Sequence, residues 1–381
     1  MSMSNMQTDT KTVVERKDLQ GLFDSLKKAG YGLFGPTLGG NAIVYDRISS
    51  TDDLPAGWLD NQDNGTYRLS KDKTGALFGY TVGPTSWKKF LYPPERRLYE
   101  VQKDERRFKI IPSEPKVEKQ AFIGVRPCEL AAIAIHDKVL TGGPYADTAY
   151  AENRKNLFVV AVNCTRAGGT CFCASMKTGP KATAGYDLAL TEVIEGGRHY
   201  FVVQVGSDAG AKIMNGLTHK DAGQAELQAA GEAEAVAAAQ MGRKLNTDDL
   251  PAILNRNFDS PHWGNVANRC LTCGNCTLVC PTCFCMNVED TTELDGSRAE
   301  RSRRWDSCFT VGFSYIHGGS IRPSVAARYR QWLMHKLAYW PDQFGSFGCV
   351  GCGRCITWCP VGIDLTEEAR LVRDGDKGPK S

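Results

Sequence analysis

Short apolar segments with two different periodicities alternate through the first half of the chain. Leu19, Leu22, Phe23 and Leu26 recur at the spacing of one helix face near the start. Four later segments are rich in β-branched residues and predict strands: GNAIVYDRI, QAFIGV, NLFVVAVN and RHYFVVQV. The segment ELAAIAIHDKVL, which follows QAFIGV directly, is apolar on one face and predicts a helix. Strand, helix and strand in succession predict a right-handed βαβ unit and a partly parallel sheet.

The pattern changes after about residue 206. Residues 207–250 are rich in Ala, Gly and Glu, and they predict a solvated helix or helical pair that connects two domains. Beyond this connector the chain turns helical. The predicted fold class is therefore α+β, with a mixed α/β domain over residues 15–206 and a mostly helical domain over residues 251–365.

Composition and charge exclude several classes of protein. The chain has 381 residues, of which 42% are hydrophobic, as is usual for a globular protein of two or three domains. The longest apolar runs, LFVVAV and LAAIAI, are too short to span a bilayer, and the polar N-terminus lacks a signal sequence. We therefore expect a soluble, cytoplasmic protein with no membrane partner. The formal net charge of +3 is dispersed, so no nucleic-acid partner is indicated.

The 15 cysteines indicate metal chemistry, because a cytosolic chain keeps its thiols reduced and needs no disulfide framework. Residues 270–281 have the spacing C-x2-C-x2-C-x3-C-P, and residues 349–360 repeat it. Three thiolates of such a loop bind one 4Fe-4S cluster, while the fourth cysteine reaches the neighbouring cluster. Structural zinc is the alternative, but zinc sites normally use two separated ligand pairs. The predicted ligands are Cys270, Cys273, Cys276 and Cys359 for one cluster, and Cys349, Cys352, Cys355 and Cys280 for the other.

Four further cysteines predict a third 4Fe-4S cluster in the N-terminal domain. Cys128 follows the strand QAFIGV and Cys164 ends the strand NLFVVAVN, so a parallel pair would place both thiols at carboxyl ends of strands. Cys171 and Cys173 follow in a Gly-containing loop. The alternative is that Cys128 and Cys164 are small buried core residues.

Cys283, Cys285 and Cys308 have no complete site in the sequence. They repeat the CFC pattern in PTCFCMN and add WDSCF, but three thiolates are incomplete unless His317 or an acidic residue joins them. Packing around the two C-terminal clusters is the preferred interpretation of these residues.

The two cysteine motifs are separated by a long insertion, which favours a mostly helical ferredoxin domain. It contains SVAARYRQWLMHKLAYW, a helix candidate with one apolar face. Its basic residues have two possible interpretations. They form a solvated face of the helix, or their positive charge stabilises reduced clusters. These residues are Arg328, Arg330, His335 and Lys336.

No P-loop, dinucleotide fingerprint or nucleophile elbow is present, so no catalytic residues are assigned. Three functions are compatible with the motifs. The first is a non-catalytic electron relay. The second is an enzyme with a substrate-binding cluster near Cys283, Cys285 and Cys308, and the third is a scaffold that uses metal only for folding.

A combination of motifs resembles one known family, the iron–sulfur beta subunits of cytoplasmic NAD(P)-linked nickel–iron hydrogenases, also called sulfhydrogenases. The iron–sulfur electron-transfer subunit of anaerobic sulfite reductase is similar in architecture. The motifs are GVRPCEL at 124–130, the CFC loop at 171–173, CTLVCPTCFC at 276–285, WDSCF at 305–309, RYRQWLMHK at 328–336 and GCVGCGRCITWCPVGID at 348–364.

The resemblance implies that the chain is the electron-transfer subunit of a multi-subunit oxidoreductase. Its partners would be a flavoprotein subunit that oxidises NAD(P)H and the small and large subunits of a nickel–iron hydrogenase. In the alternative, the terminal partner would be the catalytic subunit of a sulfite reductase.

Overall fold

The computed structural model describes residues 7–105, 107–114 and 117–378. It confirms the predicted fold class, with a partly parallel sheet in the N-terminal half and a C-terminal region that contains most of the packed short helices. Among the described residues, no helix has the length and apolar character needed to cross a membrane.

The strands range from two to ten residues in length. In chain order they are β1 (Lys11–Glu15), β2 (Gly32–Gly39), β3 (Ala42–Arg47), β4 (Trp58–Asp63), β5 (Thr66–Lys71), β6 (Glu95–Asp104), β7 (Arg107–Pro112), β8 (Gln120–Val125), β9 (Leu157–Val162), β10 (Leu188–Glu195), β11 (Arg198–Val205), β12 (Lys220–Asp221), β13 (Met286–Thr292), β14 (Arg298–Trp305), β15 (Tyr315–Ile316) and β16 (Gly319–Ser320).

The α-helices are short, and the longest has 16 residues. In chain order they are α1 (Gln20–Lys28), α2 (Lys88–Leu91), α3 (Pro127–Thr141), α4 (Thr148–Lys155), α5 (Asp208–Met214), α6 (Gln224–Ala239), α7 (Leu250–Arg256), α8 (His262–Ala267), α9 (Asn275–Leu278), α10 (Val325–Met334), α11 (Trp340–Phe344), α12 (Arg354–Thr357) and α13 (Leu365–Asp374). The described residues also contain three 3-10 turns and one π-helical segment: Arg16–Asp18, Thr51–Asp53, Val311–Ser314 and His335–Tyr339.

An eight-stranded sheet organises the N-terminal half, in the order β12-β1-β11-β10-β9-β8-β2-β3. Its centre is parallel, since β9 pairs in parallel with both β8 and β10 and β8 pairs in parallel with β2. Helix α3 lies between β8 and β9 in the sequence, as the βαβ pattern predicts.

Both faces of this sheet are buried, which explains why its central strands are continuously apolar. On β9, Phe158, Val160 and Val162 pack into a core with α1 and α5. Val159 and Ala161 point the other way, into a core with α2, α3 and α4. The sheet is thus the middle of three layers, and this arrangement holds the carboxyl ends of β8 and β9 side by side.

A second sheet joins the two halves of the chain, in the order β13-β14-β6-β7. The hairpin formed by β13 and β14 comes from the insertion between the cysteine motifs, and β14 pairs with β6 from the N-terminal half. Buried Arg303 on β14 also forms an ion pair with Asp147, the N-cap residue of α4. The sequence did not predict this hairpin, because its strands are charged and lack an apolar alternation.

The Ala-rich segment is helical, as expected, but part of it packs on the main sheet. Helix α6 contacts β10 and β11, and its Glu234 is buried. The Glu234 carboxylate accepts hydrogen bonds from Asn163 Nδ2 and Thr191 Oγ1, both at 2.9 Å. Because Asn163 directly precedes Cys164, this helix supports the strand end that carries a predicted ligand. The three-domain division itself stays a prediction.

Two Gly→Ala substitutions in open space should change stability in opposite directions. At Gly231, inside α6, an added Cβ would meet no atom within 4 Å, so Ala should stabilise the helix by about 0.5–1 kcal/mol. At Gly185 the space is also open, but φ is +82°, so Ala should destabilise the protein by about 1–2 kcal/mol. Thermal unfolding followed by circular dichroism measures both changes. Equal shifts of the same sign would contradict this explanation.

Candidate iron–sulfur centres

Cys128 and Cys164 lie next to each other at the carboxyl edge of the parallel strands. Helix α3 begins with Pro127, so Cys128 lies in its first turn. Cys164 follows β9, and its backbone N–H donates to Pro180 O at 3.0 Å. The parallel pairing of β8 with β9 brings the two strand ends together. Burial raises the pKa of Cys128, and the nearby Cys164 thiol adds to this shift.

The loop that carries Cys171 and Cys173 turns back onto these two residues. Burial is the main reason why the pKa values of Cys128, Cys171 and Cys173 are raised. Neighbouring thiols add to these shifts, Cys164 for the two loop residues and Cys173 for Cys128, so the four sulfurs share one neighbourhood. We call Cys128, Cys164, Cys171 and Cys173 the N-terminal thiol group. The structure thus brings together all four residues predicted for the third cluster. That they bind iron stays a prediction.

The two C-terminal motifs adopt the same loop conformation. Thr272 and Gly351 occupy equivalent positions with φ of +52° and +65°, and Gly274 and Gly353 follow with φ of +75° and +76°. The left-handed turns aim backbone N–H groups at the first sulfur of each loop. Thr272 N–H donates to Cys270 Sγ at 3.4 Å, and Gly351 N–H donates to Cys349 Sγ at 3.5 Å. Hydrogen bonds of this kind tune the potential of a bound cluster.

The fourth cysteine of each motif crosses to the other motif. Cys359 lines a recess with the first three cysteines of the first motif, and this recess has about 420 Å³ of empty space including its open mouth. Cys280 affects the pKa of the first three cysteines of the second motif. This placement is compatible with the crossed ligand assignment, which stays a prediction. We call Cys270, Cys273, Cys276 and Cys359 the outer thiol group, and Cys349, Cys352, Cys355 and Cys280 the middle thiol group.

Burial raises the pKa of most of these thiols. It raises the pKa of Cys349 and of Cys171 to about 12, and it raises the pKa of Cys128 and of Cys276 well above the ordinary value. Such thiols are neutral at pH 7 unless a cation joins them. Iron supplies that charge, so binding of a cluster would release protons from these sites.

Two buried arginines face thiols of the outer and N-terminal groups. Arg126 is 1% exposed, donates to three backbone carbonyls and contacts the Cys164 thiol. Arg328 is 5% exposed and lies near Cys270, and its Nε and Nη1 have no hydrogen-bond partner in the described structure. Neither guanidinium forms an ion pair with a carboxylate of residues 7–105, 107–114 or 117–378. A bound anionic cluster would supply the missing negative charge.

Two further buried cations face the middle group. Lys336 Nζ lies 3.2 Å from Cys280 Sγ. Arg354 contacts the Cys352 thiol and forms a buried ion pair with Glu129 at 2.6 Å.

The expectation of a solvated basic face is wrong for Lys336 and for Arg328, both of which are buried. Lys336 lies in the π-helical segment, where the extra residue per turn changes which side chains face inward.

The middle group lies between the other two groups. Cys355 lines the recess of the outer group, whereas Cys352 affects the pKa of three thiols of the N-terminal group. The loops also touch directly: Phe172 N–H donates to Gly351 O at 2.9 Å, and a Cβ at Gly351 would lie 2.7 Å from Cys173 Cα. Only glycine fits at this contact. The three groups therefore form one continuous series.

The remaining cysteines, which we call the cysteine trio, also come together: Cys283, Cys285 and Cys308. The sequence indicated no complete site for them. Cys285 hydrogen-bonds with Cys308, which lowers the pKa of Cys285 to about 7, and Cys283 hydrogen-bonds with Cys280. His317, the suggested fourth ligand, is exposed in the turn between β15 and β16.

In the described residues, no three His, Cys, Asp or Glu side chains converge tightly enough to hold a single metal ion. The four thiols of the outer group instead line one shared recess, as the ligands of a multi-iron cluster do. Thiol numbers, N–H donors to sulfur and buried cations therefore fit 4Fe-4S clusters in all three groups.

Two comparisons with known proteins agree with this chemistry. Residues 269–363 match the family model of the 4Fe-4S dicluster domain. A relative, Sulfhydrogenase 2 subunit beta of Pyrococcus furiosus, is 34% identical over 319 residues, which cover 82% of this chain and 90% of that protein. The similarity thus extends well beyond the segment that carries the paired motifs.

Replacement of Cys359 by Ser should damage the cluster of the outer group, because the fourth ligand of each motif crosses to the partner site. The EPR component of the reduced protein that depends on Cys270 should be lost. The matched variant Cys280→Ser should instead affect the component that depends on Cys349. Loss of the Cys349-dependent component alone in the Cys359 variant would contradict the crossed assignment.

The double variant Cys128→Ala/Cys173→Ala should bind about four fewer irons than the wild-type chain, because it removes two of the four ligands of the N-terminal group. Iron and sulfide assays after anaerobic reconstitution of the full chain measure this loss. Met176→Leu, which changes a neighbouring buried sulfur side chain, should retain full iron content. An unchanged iron content in the double variant would mean that these cysteines are core residues.

Proposed function

The chain belongs to the family of sulfhydrogenase beta subunits, and we propose that it relays electrons between a flavoprotein subunit that oxidises NAD(P)H and the nickel–iron hydrogenase subunits of one complex. At the coarser level, it is an iron–sulfur electron-transfer subunit of a hydrogenase-type complex. Bound 4Fe-4S clusters would supply the one-electron chemistry, and the protein positions them and sets their surroundings.

The observation that carries the proposal is the continuous series of thiol groups. The loop 349–355 of the middle group contacts both of the other groups. Cys355 lies beside the outer group and Cys352 lies beside the N-terminal group. A backbone hydrogen bond from Phe172 to Gly351 holds the loop of the N-terminal group against the loop of the middle group. A protein that used metal only for folding would not need its metal sites in contact.

The two ends of the series differ in exposure. Cys273 of the outer group is exposed, and its neighbour Leu271 is 60% exposed. Cys128, Cys171 and Cys173 of the N-terminal group are buried. The outer group thus lies at the protein surface, where a partner protein could approach a bound cluster closely.

Buried cations supply the electrostatic part of the function. Arg126, Arg328 and Lys336 each lie beside a thiol of a different group. Their positive charge favours the reduced, more negative form of a cluster, and burial strengthens this effect because little water screens it.

The isolated chain should not oxidise NAD(P)H with a dye as acceptor, because it has no dinucleotide fingerprint and its proposed cofactors carry single electrons. Activity should appear when the flavoprotein subunit of the same complex is added. Stopped-flow spectra should then show that the clusters are reduced after the flavin. Rapid turnover by the pure, flavin-free chain would refute the relay.

Identification of the terminal partner separates the proposal from its alternative. Affinity purification of the chain from its native cells should recover a protein that contains nickel and iron. Recovery of a sirohaem protein would instead support the sulfite reductase assignment.

A further inference from the structure

The inner wall of the recess that holds the outer group is aromatic. Phe309, Tyr329 and Trp332 line this recess together with the outer cysteines, and all three side chains are buried. The ring centres of Tyr329 and Trp332 are 5.4 Å apart, and those of Phe309 and Trp332 are 6.0 Å apart. The rings thus form one continuous surface behind the position of a bound cluster.

Helix α10 supplies two of these three rings. Ser324 caps the helix, since its Oγ accepts from the Ala327 N–H at 3.2 Å. Tyr329 and Trp332 are three residues apart and therefore lie on the same face of the helix. Phe309 shows that a purely apolar ring can pack in this wall, so packing alone does not explain the polar hydrogens of Tyr329 and Trp332.

Both polar hydrogens are buried without an acceptor. Tyr329 is 2% exposed and Trp332 is 4% exposed. Among residues 7–105, 107–114 and 117–378, no group hydrogen-bonds with Tyr329 Oη or with Trp332 Nε1. Trp263, in the same core, behaves differently, because its Nε1 donates to Asn257 O at 3.1 Å. A buried donor that finds no acceptor costs free energy, so these two donors call for an acceptor that the described chain does not provide.

The hydroxyl of Tyr329 lies close to sulfur. Burial raises the pKa of Tyr329 well above its ordinary value. Nearby Glu368 adds to this rise, and so do three thiols. These thiols belong to Cys270, Cys276 and Cys355, all of which line the recess. The hydroxyl is therefore near ligands of the outer group and near the one middle-group ligand that reaches the same recess.

Glu368 does not take the hydrogen bond of this hydroxyl. Its Oε2 is hydrogen-bonded to His262 Nε2 at 2.7 Å, and its Oε1 accepts from Arg269 Nη2. In the structure as described, no bond joins it to Tyr329. The acceptors that remain in this direction are the sulfur atoms in and around the recess.

We propose that the Tyr329 hydroxyl and the Trp332 indole N–H donate hydrogen bonds to sulfur atoms of the outer cluster and thereby raise its reduction potential. Hydrogen bonds to sulfur stabilise the reduced, more negative cluster more than the oxidised one. The proposal rests on the outer group binding a 4Fe-4S cluster, as the relay requires. It does not depend on which protein exchanges electrons with that cluster.

Conservative variants of the two donors test the proposal. Tyr329→Phe and Trp332→Phe each remove a donor but keep an aromatic ring in the wall. In the full chain, reconstituted anaerobically with iron and sulfide, each variant should retain the iron content of the wild type. The midpoint potential of the EPR component that depends on Cys270 should fall in both. At a fixed potential, the ratio of reduced to oxidised outer cluster should drop by about two- to tenfold for each lost hydrogen bond.

Tyr339→Phe and Trp263→Phe are the matched controls. Both side chains pack in the same core, but neither is among the residues that line the recess. Each control should leave the potential of the outer cluster unchanged. Trp263→Phe also breaks an internal hydrogen bond, so it shows whether general loosening of this core is enough to change the potential.

Pulsed ENDOR of the reduced protein gives a second measurement, which detects the hydrogen bond itself. The outer cluster should couple to an exchangeable proton that is lost in D2O and is absent from Tyr329→Phe. Tyr339→Phe should retain this signal.

The proposal is overturned if the double variant Tyr329→Phe/Trp332→Phe keeps both the outer cluster and its wild-type potential. Absence of a Cys270-dependent cluster from the wild-type chain would overturn this proposal and the relay together. A lowered potential with unchanged controls supports the proposal even if the chain accepts no electrons from a flavoprotein, a result that would refute the relay alone.

Discussion

An anionic cluster that is shielded from water needs positive charge that is shielded with it, and this constraint shapes the interior of the chain. Arg126, Arg328 and Lys336 are buried beside cysteines from three different parts of the sequence. Each cation is fixed by backbone carbonyls, by packing or by the thiols themselves. Without an inorganic anion, this much buried charge would destabilise the folded state. Cluster binding and folding are therefore thermodynamically linked.

Some parts of the structure could be predicted from local sequence alone. The C-x2-C-x2-C-x3-C-P spacing determines how many thiols one loop presents, and the repeat implies the crossing of Cys280 and Cys359. The apolar strands β8 and β9 predicted a parallel pair, and adjacent parallel strands necessarily bring Cys128 and Cys164 together. In each case a short segment carries all the information that the prediction needs.

Other parts depend on contacts between distant segments. The hairpin of β13 and β14 is stabilised by its pairing with β6 and by ion pairs such as Arg303 with Asp147, none of which has a periodic signature. Lys336 was misjudged because a π-helical segment changes the inward face in the middle of a helix.

The contact between Phe172 and Gly351 has a consequence for how the protein matures. During synthesis the N-terminal cysteines leave the ribosome long before Gly351, so the loop around Cys171 and Cys173 lacks the backbone that later holds it. We therefore expect insertion of the cluster predicted for the N-terminal group to follow completion of the chain. A scaffold that delivers clusters would meet an almost finished protein, and truncated chains would accumulate without iron at the very end that is made first.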